Sequence, residues 1–106
     1  MKKTLHNSDV SGARQNVRDL DVFGDPDSFK LICKASSKAE GWMKSTKAME
    51  IKGVGCIVQV TTQQGDQVAE ALTFVPLVGI LETSVKGTVT RRKLVSFHML
   101  RNAKPE

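Results

Sequence analysis

Hydrophobic residues alternate with polar ones over most of the chain, and the longest such stretch covers residues 55–75, GCIVQVTTQQGDQVAEALTFV. Period-two alternation, β-branched residues and a central Gly-Asp pair that supplies positive φ are typical of a β-hairpin. The stretch therefore predicts two antiparallel strands that fold back at residues 64–67. Val68, Leu72 and Phe74 share one side of the second strand, so we expect them to point into the core.

Weaker alternation on both sides of this hairpin predicts further strands. Residues 28–35 place one set of side chains on one face and another on the opposite face: Phe29, Leu31, Cys33 and Ala35 against Lys30, Ile32 and Lys34. Residues 42–51 also alternate, although their composition equally suits one or two helical turns. Residues 80–85 and 89–98 predict the last two strands. The pattern indicates a mainly β protein, a five- or six-stranded antiparallel meander that forms a small barrel or a single sheet.

The N-terminal residues predict a polar arm that precedes the β domain. Between Val10 and Phe23 the apolar residues recur every three or four positions, which favours a short amphipathic helix with Ser8 or Asp9 as its cap. Gly12 disfavours that helix, and an irregular arm is the alternative. Residues 24–28, GDPDS, disfavour regular secondary structure and separate an arm (1–27) from an antiparallel β domain (28–98). A basic C-terminal tail (99–106) follows.

Length and charge narrow the possible partners. The 106 residues are enough for one domain, and 16 Lys and Arg against 11 Asp and Glu give a formal net charge of +5. This charge favours an anionic partner such as nucleic acid, an acidic protein or a lipid surface. The alternative is that the charge serves solubility alone.

Two cysteines, Cys33 and Cys56, lie in strand-like segments where we expect both to be buried. Two thiols in alternating apolar patterns suggest a reducing compartment, although a disulfide between neighbouring strands stays open. The N-terminus lacks the apolar stretch of a signal peptide, and no apolar run approaches the roughly 20 residues of a membrane span. We expect a cytoplasmic protein with no membrane partner.

Candidate catalytic and metal-ligating residues are few. His6 lies in the predicted tail, His98 ends the last strand, and Cys56 is expected in the core. The cysteine spacing does not suit zinc, and the aspartates at positions 19–27 lack the spacing of a calcium loop. We therefore expect no enzyme activity, no metal and no cofactor. An enzyme that uses Cys56 or His98 would need both side chains in one cleft.

The basic residues carry the first functional hypothesis. A meander that brings its first and last strands together gathers cations into one positive face, as in binders of single-stranded nucleic acid. The candidate nucleic-acid-binding residues are Lys30, Lys34, Lys44, Arg91, Arg92 and Lys93, with Trp42 stacking on a base. The alternative role of these cations is to protect strand edges against aggregation.

The second hypothesis is a structural or assembly protein. Such a protein forms homo-oligomers or binds a protein partner through an exposed sheet edge and the 1–27 arm.

Overall fold

The computed structural model describes residues 10–14 and 17–102, with backbone only at positions 101 and 102. These residues form two short helices and six strands. In chain order they are α1 (Val10–Ala13), β1 (Lys30–Ser37), β2 (Trp42–Ile51), β3 (Gly55–Gln64), β4 (Gln67–Pro76), β5 (Val78–Val85), β6 (Thr88–Ser96) and α2 (Phe97–Asn102). The prediction of a mainly β, antiparallel protein is confirmed, and residues 42–51 form a strand.

The strands form two sheets. One has the order β1-β2-β3-β4, and the other is the hairpin of β5 and β6. Every pair is antiparallel. The first and last strands of the four-stranded sheet do not pair, so this sheet is not a closed barrel. The last two strands form a separate sheet. The cationic barrel face that the sequence suggested is therefore not formed.

Turn chemistry explains where two of the hairpins fold back. Gly65 has a φ of 59° at the first position of the β3–β4 turn, the conformation that glycine adopts at little steric cost. In the β5–β6 turn, Lys86 and Gly87 have φ values of 53° and 83°. Positive φ at both central residues matches the right-handed twist of paired strands.

The hydrophobic core lies between the four-stranded sheet and the β5–β6 hairpin. Ala48, Cys56 and Val58 are buried at its centre. Partly buried apolar residues pack around them: Ile32, Val75, Val78, Ile80 and Leu94. We call the side of the four-stranded sheet that carries this centre the hairpin face and the other side the far face.

A bulge in β1 changes which of its residues share a face. The register of β1 against β2 shifts between Leu31 and Cys33. A bulge places an extra residue in one strand and reverses the alternation beyond it. Ile32, at the bulge, packs against the core. Cys33 pairs with Thr46 and so lies on the hairpin face, but it is exposed there, and the prediction that it is buried is wrong. Cys56 is buried as predicted, and both cysteines are free thiols.

The prediction that Val68, Leu72 and Phe74 point into the core is also wrong. All three are exposed, Leu72 by 62%. They lie on the far face, because Leu72 and Phe74 pair with Gln59 and Ile57, which alternate with the core residues of β3. The β5–β6 hairpin packs on the other face, so their side of the strand stays uncovered.

Near the N-terminus, the helix is shorter than predicted. It covers Val10–Ala13 rather than extending to Phe23. The Asp27 carboxylate accepts the N–H of Val10 at 2.7 Å and the N–H and hydroxyl of Ser11 at 3.2 and 3.0 Å. These bonds fold the loop before β1 back onto the helix start. The proposed caps Ser8 and Asp9 lie outside the described residues.

The C-terminal segment also differs from the prediction. Strand β6 ends at Ser96, and α2 takes the place of the last predicted strand residues and the start of the tail. The Ser96 hydroxyl accepts the N–H of Met99 at 3.2 Å, as an N-terminal capping residue does. No helix among the described residues is long and apolar enough to cross a membrane.

Candidate functional site

The outer edge of β4 is the longest accessible strand edge in the structure. The strand has ten residues, and nine of them are exposed. Its register with β3 is continuous from Gly55–Pro76 to Gln64–Gln67, without a bulge. Among the described residues, no strand pairs with its outer side. A flat, uncovered edge presents backbone donors and acceptors that another strand can use.

The hairpin geometry identifies which β4 residues present their backbone groups outward. In a hairpin with a two-residue loop, the flanking residues Gln64 and Gln67 form a hydrogen-bonded pair, and such pairs alternate along the strands. Gln67 and every second residue after it therefore bond to β3. The intervening residues direct their N–H and C=O groups outward: Val68, Glu70, Leu72 and Phe74.

An apolar surface adjoins this edge on the far face. Leu72 and Phe74 are exposed there beside Ile57, which is cross-strand from Phe74. On β2, Met49 is cross-strand from Ile57, and Ile51 is 37% exposed on the same face. We call these five residues the far-face patch. It lies directly behind the buried core, on the side of the sheet that the second hairpin leaves uncovered.

Glu70 is the one charged residue in β4, and its carboxylate is held by the sheet. Its Oε1 accepts the hydroxyl of Thr61 at 3.2 Å and the side-chain N–H of Gln59 at 3.3 Å. The carboxylate therefore lies against β3 instead of projecting past the edge.

The opposite edge of the same sheet is protected. Strand β1 contains the bulge at Leu31–Cys33 and carries Lys30 and Lys34. The guanidinium of Arg92 donates from Nη1 to the carbonyl oxygen of Leu31 at 3.1 Å. Bulges and lysines are devices that natural sheets use to stop edge pairing. The fold therefore closes the β1 edge and leaves the β4 edge open.

The β5–β6 hairpin has its own edge protection. Glu50 of β2 accepts the backbone N–H of Ile80 at 2.7 Å, which occupies an edge donor of β5. The β5–β6 register shifts between Thr83 and Ser84, and β6 carries three consecutive cations, Arg91 to Lys93.

The positively charged residues are also distributed unevenly along the chain, and the segment that contains β4 has none. No Lys or Arg occurs between Lys52 and Lys86, the segment that contains β3, β4 and β5. The cations of the sheet lie on β1, β2 and their loops, whereas β4 and its neighbour β3 carry none. This absence of cations is visible in the sequence and is the signal that marks β4 as an unprotected strand.

The structure separates the predicted nucleic-acid-binding residues. Lys30 is cross-strand from Ala48 and Lys34 from Ser45, so the bulge puts these two lysines on opposite faces. The expectation that they share a face is wrong. Trp42 and Lys44 alternate with Met43 and lie on the hairpin face, as Lys30 does. Lys44 is exposed, and the indole of Trp42 donates to Glu40 at 2.8 Å.

The cations of β6 divide in the same way. Arg92 forms an ion pair with Glu82 at 2.7 Å and lies on the side of the hairpin that faces β1. Arg91 and Lys93 alternate with it, are exposed, and lie on the other side. The seven candidates are therefore distributed over several surfaces.

Cys56 and His98, the two catalytic candidates, do not share a cleft. His98 lines an open cavity of about 690 Å³ beside α2, together with Glu50, Phe97 and Leu100. Cys56 is fully buried, and its thiol donates to the carbonyl oxygen of Val78 at 3.5 Å. Burial, and secondarily the charge of Glu50, raises the pKa of that thiol, which disfavours the nucleophilic thiolate.

Metal ligands do not converge in the part of the chain that the structure describes. No group of three or more His, Cys, Asp and Glu side chains there could hold a metal ion.

A second apolar feature lies on the N-terminal arm. Phe23 is fully exposed, and Val17 and Leu20 are exposed as well. These side chains recur at three-residue intervals in an irregular segment that ends at the Asp27 turn. Large exposed aromatic residues are enriched where proteins bind one another.

The protein belongs to the Lockin family, whose model matches residues 1–95. The match covers the arm, α1, the first five strands and all of β6 except its last residue. No curated protein and no solved structure matches the chain.

Proposed function

We propose that this protein is a non-enzymatic assembly module that binds another polypeptide strand along the outer edge of β4. The observation that carries the proposal is the contrast between the two edges of one sheet. Strand β1 has a bulge, lysines and a bond from Arg92, whereas β4 has none of these over ten residues. An edge that is left open where its counterpart is closed is suited to strand addition.

The energetics of strand addition fit this edge. The outward backbone groups at alternate β4 positions supply main-chain hydrogen bonds, and the exposed Leu72 and Phe74 supply apolar area beside them. Burying a leucine or phenylalanine side chain fully is worth about 1.5–3 kcal/mol. The incoming strand would thus gain affinity from the backbone and side-chain specificity from the far-face patch.

The arm is the second element of the proposed binding surface. Phe23 and Leu20 are exposed on the arm. A partner that pairs with β4 buries these side chains only if it also reaches the arm, which leads into β1 at the opposite edge of the sheet.

A strand peptide tests the proposal directly. The probe is a labelled peptide of the β4 sequence, QVAEALTFVP, with lysines added at its ends for solubility. We expect the wild-type protein to bind this peptide in a fluorescence anisotropy assay. The affinity of the Leu72→Lys variant should be at least about tenfold lower, because a charge then occupies the edge. Val85→Lys adds the same charge at an exposed position of β5 and should leave affinity unchanged. Equal binding to all three proteins would contradict the proposal.

Nucleic-acid binding is a second candidate, favoured by one observation. Lys30, Trp42 and Lys44 lie on the hairpin face, where a strand of nucleic acid can contact two cations and an aromatic ring. If this surface binds single-stranded nucleic acid, affinity falls steeply as salt rises. Lys44→Ala should then weaken binding, whereas Lys34→Ala on the far face should not. Affinity that does not change with salt would exclude it.

A further inference from the structure

We infer that the strand received by the β4 edge is the β4 strand of a second copy of this chain, paired antiparallel about a two-fold axis at Ala71. The inference rests on the proposed function and specifies the partner. It follows from the self-complementarity of the strand, the small side chains near its centre and the charge distribution of the chain.

The position of the two-fold axis follows from which residues each possible register would bring opposite one another. The outward-facing residues are Val68, Glu70, Leu72 and Phe74, and around Ala71 each of them meets another member of the same set. Val68 is then opposite the partner's Phe74, and Glu70 opposite the partner's Leu72. An axis at Leu72 would set Val68 against Pro76, which has no N–H to donate. An axis at Glu70 would place two carboxylates directly opposite one another, which is destabilising.

Side-chain size supports the same centre. An axis at Ala71 makes Ala71 and its counterpart a non-hydrogen-bonded pair, in which the Cα atoms approach to about 4.5 Å. Ala69, Ala71 and Thr73 are the residues on the hairpin face of this stretch, and all three are small. Two copies therefore approach without a bulky side chain at the axis.

Charge favours β4 over every other edge for self-association. Each copy has a formal net charge of +5, so two copies repel one another. Pairing at β4 joins the segments without Lys or Arg and places the lysines of the two β1 strands at opposite ends of an eight-stranded sheet. It also brings the two far-face patches side by side, where Leu72 and Phe74 of both copies form one apolar surface.

Cysteine cross-linking tests both the partner and the register. Single cysteines are introduced at each position from 69 to 73 in a Cys33→Ser background, and Cys56 stays in place because it is buried. Under mild oxidation, Ala71→Cys should give the highest yield of disulfide-linked dimer, because its Cα separation lies within the range for disulfides. Maximal cross-linking at another position would overturn the register, and none at any position would overturn the self-pairing.

Sedimentation velocity over a series of protein concentrations tests the association without cysteine substitution. The wild-type chain and Val85→Lys should form dimers, and Leu72→Lys should raise the dimer dissociation constant at least about tenfold. A wild-type monomer at every concentration that still binds the strand peptide would overturn the inference and leave the proposed function standing. A monomer that binds no strand peptide would overturn both.

Discussion

Arg92 donates a hydrogen bond from its guanidinium to the carbonyl oxygen of Leu31, 3.1 Å away and 61 positions earlier in the chain. This contact links the second hairpin to the bulged strand of the first sheet. The contact engages Arg92, which the sequence suggested as a nucleic-acid-binding residue, and it helps to close the β1 edge. The openness of β4 is therefore a property of one edge and not of the whole fold.

Replacing Arg92 with alanine should destabilise the protein by about 1 kcal/mol. The substitution removes a charge-assisted bond to Leu31 and an ion pair with Glu82 whose side chains are both partly exposed, so each contributes modestly. Urea denaturation of Arg92→Ala and Arg91→Ala measures the difference. Arg91 is exposed on the other side of β6, and its variant should unfold like the wild type. Equal stability of the two variants would show that the Leu31 contact contributes nothing.

Gly55→Ala should be strongly destabilising, by about 2 kcal/mol or more. A Cβ at Gly55 would overlap the carbonyl oxygen of Val75 and approach the Cα of Pro76, which are backbone atoms of the β3–β4 pairing. Gly41→Ala is the matched control, because Gly41 also has positive φ but has open space around it. That control should cost about 1 kcal/mol. Thermal or urea unfolding distinguishes the two, and a smaller cost at Gly55 than at Gly41 would contradict the predicted overlap.

The attachment of α1 should weaken in acid. The backbone N–H of Val10 has the largest effect on the pKa of Asp27 and lowers it below its ordinary value of 3.8. Desolvation opposes this shift, while the side chain and N–H of Ser11 and the charge of Lys30 lower the pKa further. Because the folded-state pKa is depressed, the stabilisation is present above the ordinary pKa and is lost as pH falls through the folded-state pKa.

NMR titration measures this change. The amide signals of Val10 and Ser11 should shift with a midpoint below pH 3.8, and Asp27→Asn should remove the transition. Asp21→Asn, a substitution at an exposed aspartate, should leave it unchanged. A midpoint at or above 3.8 would mean that these bonds do not form in solution.

The two thiols should differ widely in reactivity. Cys33 is exposed on β1, whereas Cys56 is buried and burial raises its thiol pKa. Iodoacetamide should modify Cys33 in the folded protein and Cys56 only after unfolding. Peptide mass spectrometry with and without urea locates the label. Rapid modification of Cys56 in the native protein would contradict the packing of the core.

The sequence predicted the strands well because alternation and turn residues act locally. Residues 55–75 form the hairpin that their pattern indicates, and residues 42–51 form a strand although their composition also suits helical turns. Cys56 is buried as predicted, because its strand is central and regular.

The failures depend on tertiary information that alternation does not contain. The bulge at Leu31–Cys33 reverses the faces of β1, so Cys33 and Lys34 lie where the regular pattern did not place them. The exposure of Leu72 and Phe74 depends on which face the second hairpin covers and on β4 being an edge. Alternation predicts that a strand has an apolar side but not whether another element packs on it. The accessible β4 edge therefore followed only from the tertiary structure, although the sequence had already suggested an exposed sheet edge as one hypothesis.

Residue-resolved amide exchange tests the β4 edge most directly. The measurement compares the exchange of the β4 backbone N–H groups in dilute protein, alone and with saturating strand peptide. We expect the outward amides of Val68, Glu70, Leu72 and Phe74 to exchange fast alone and to become protected when the peptide is bound, while the amides bonded to β3 stay slow in both conditions. If the outward amides remain unprotected with the peptide bound, β4 is not the surface that receives the strand.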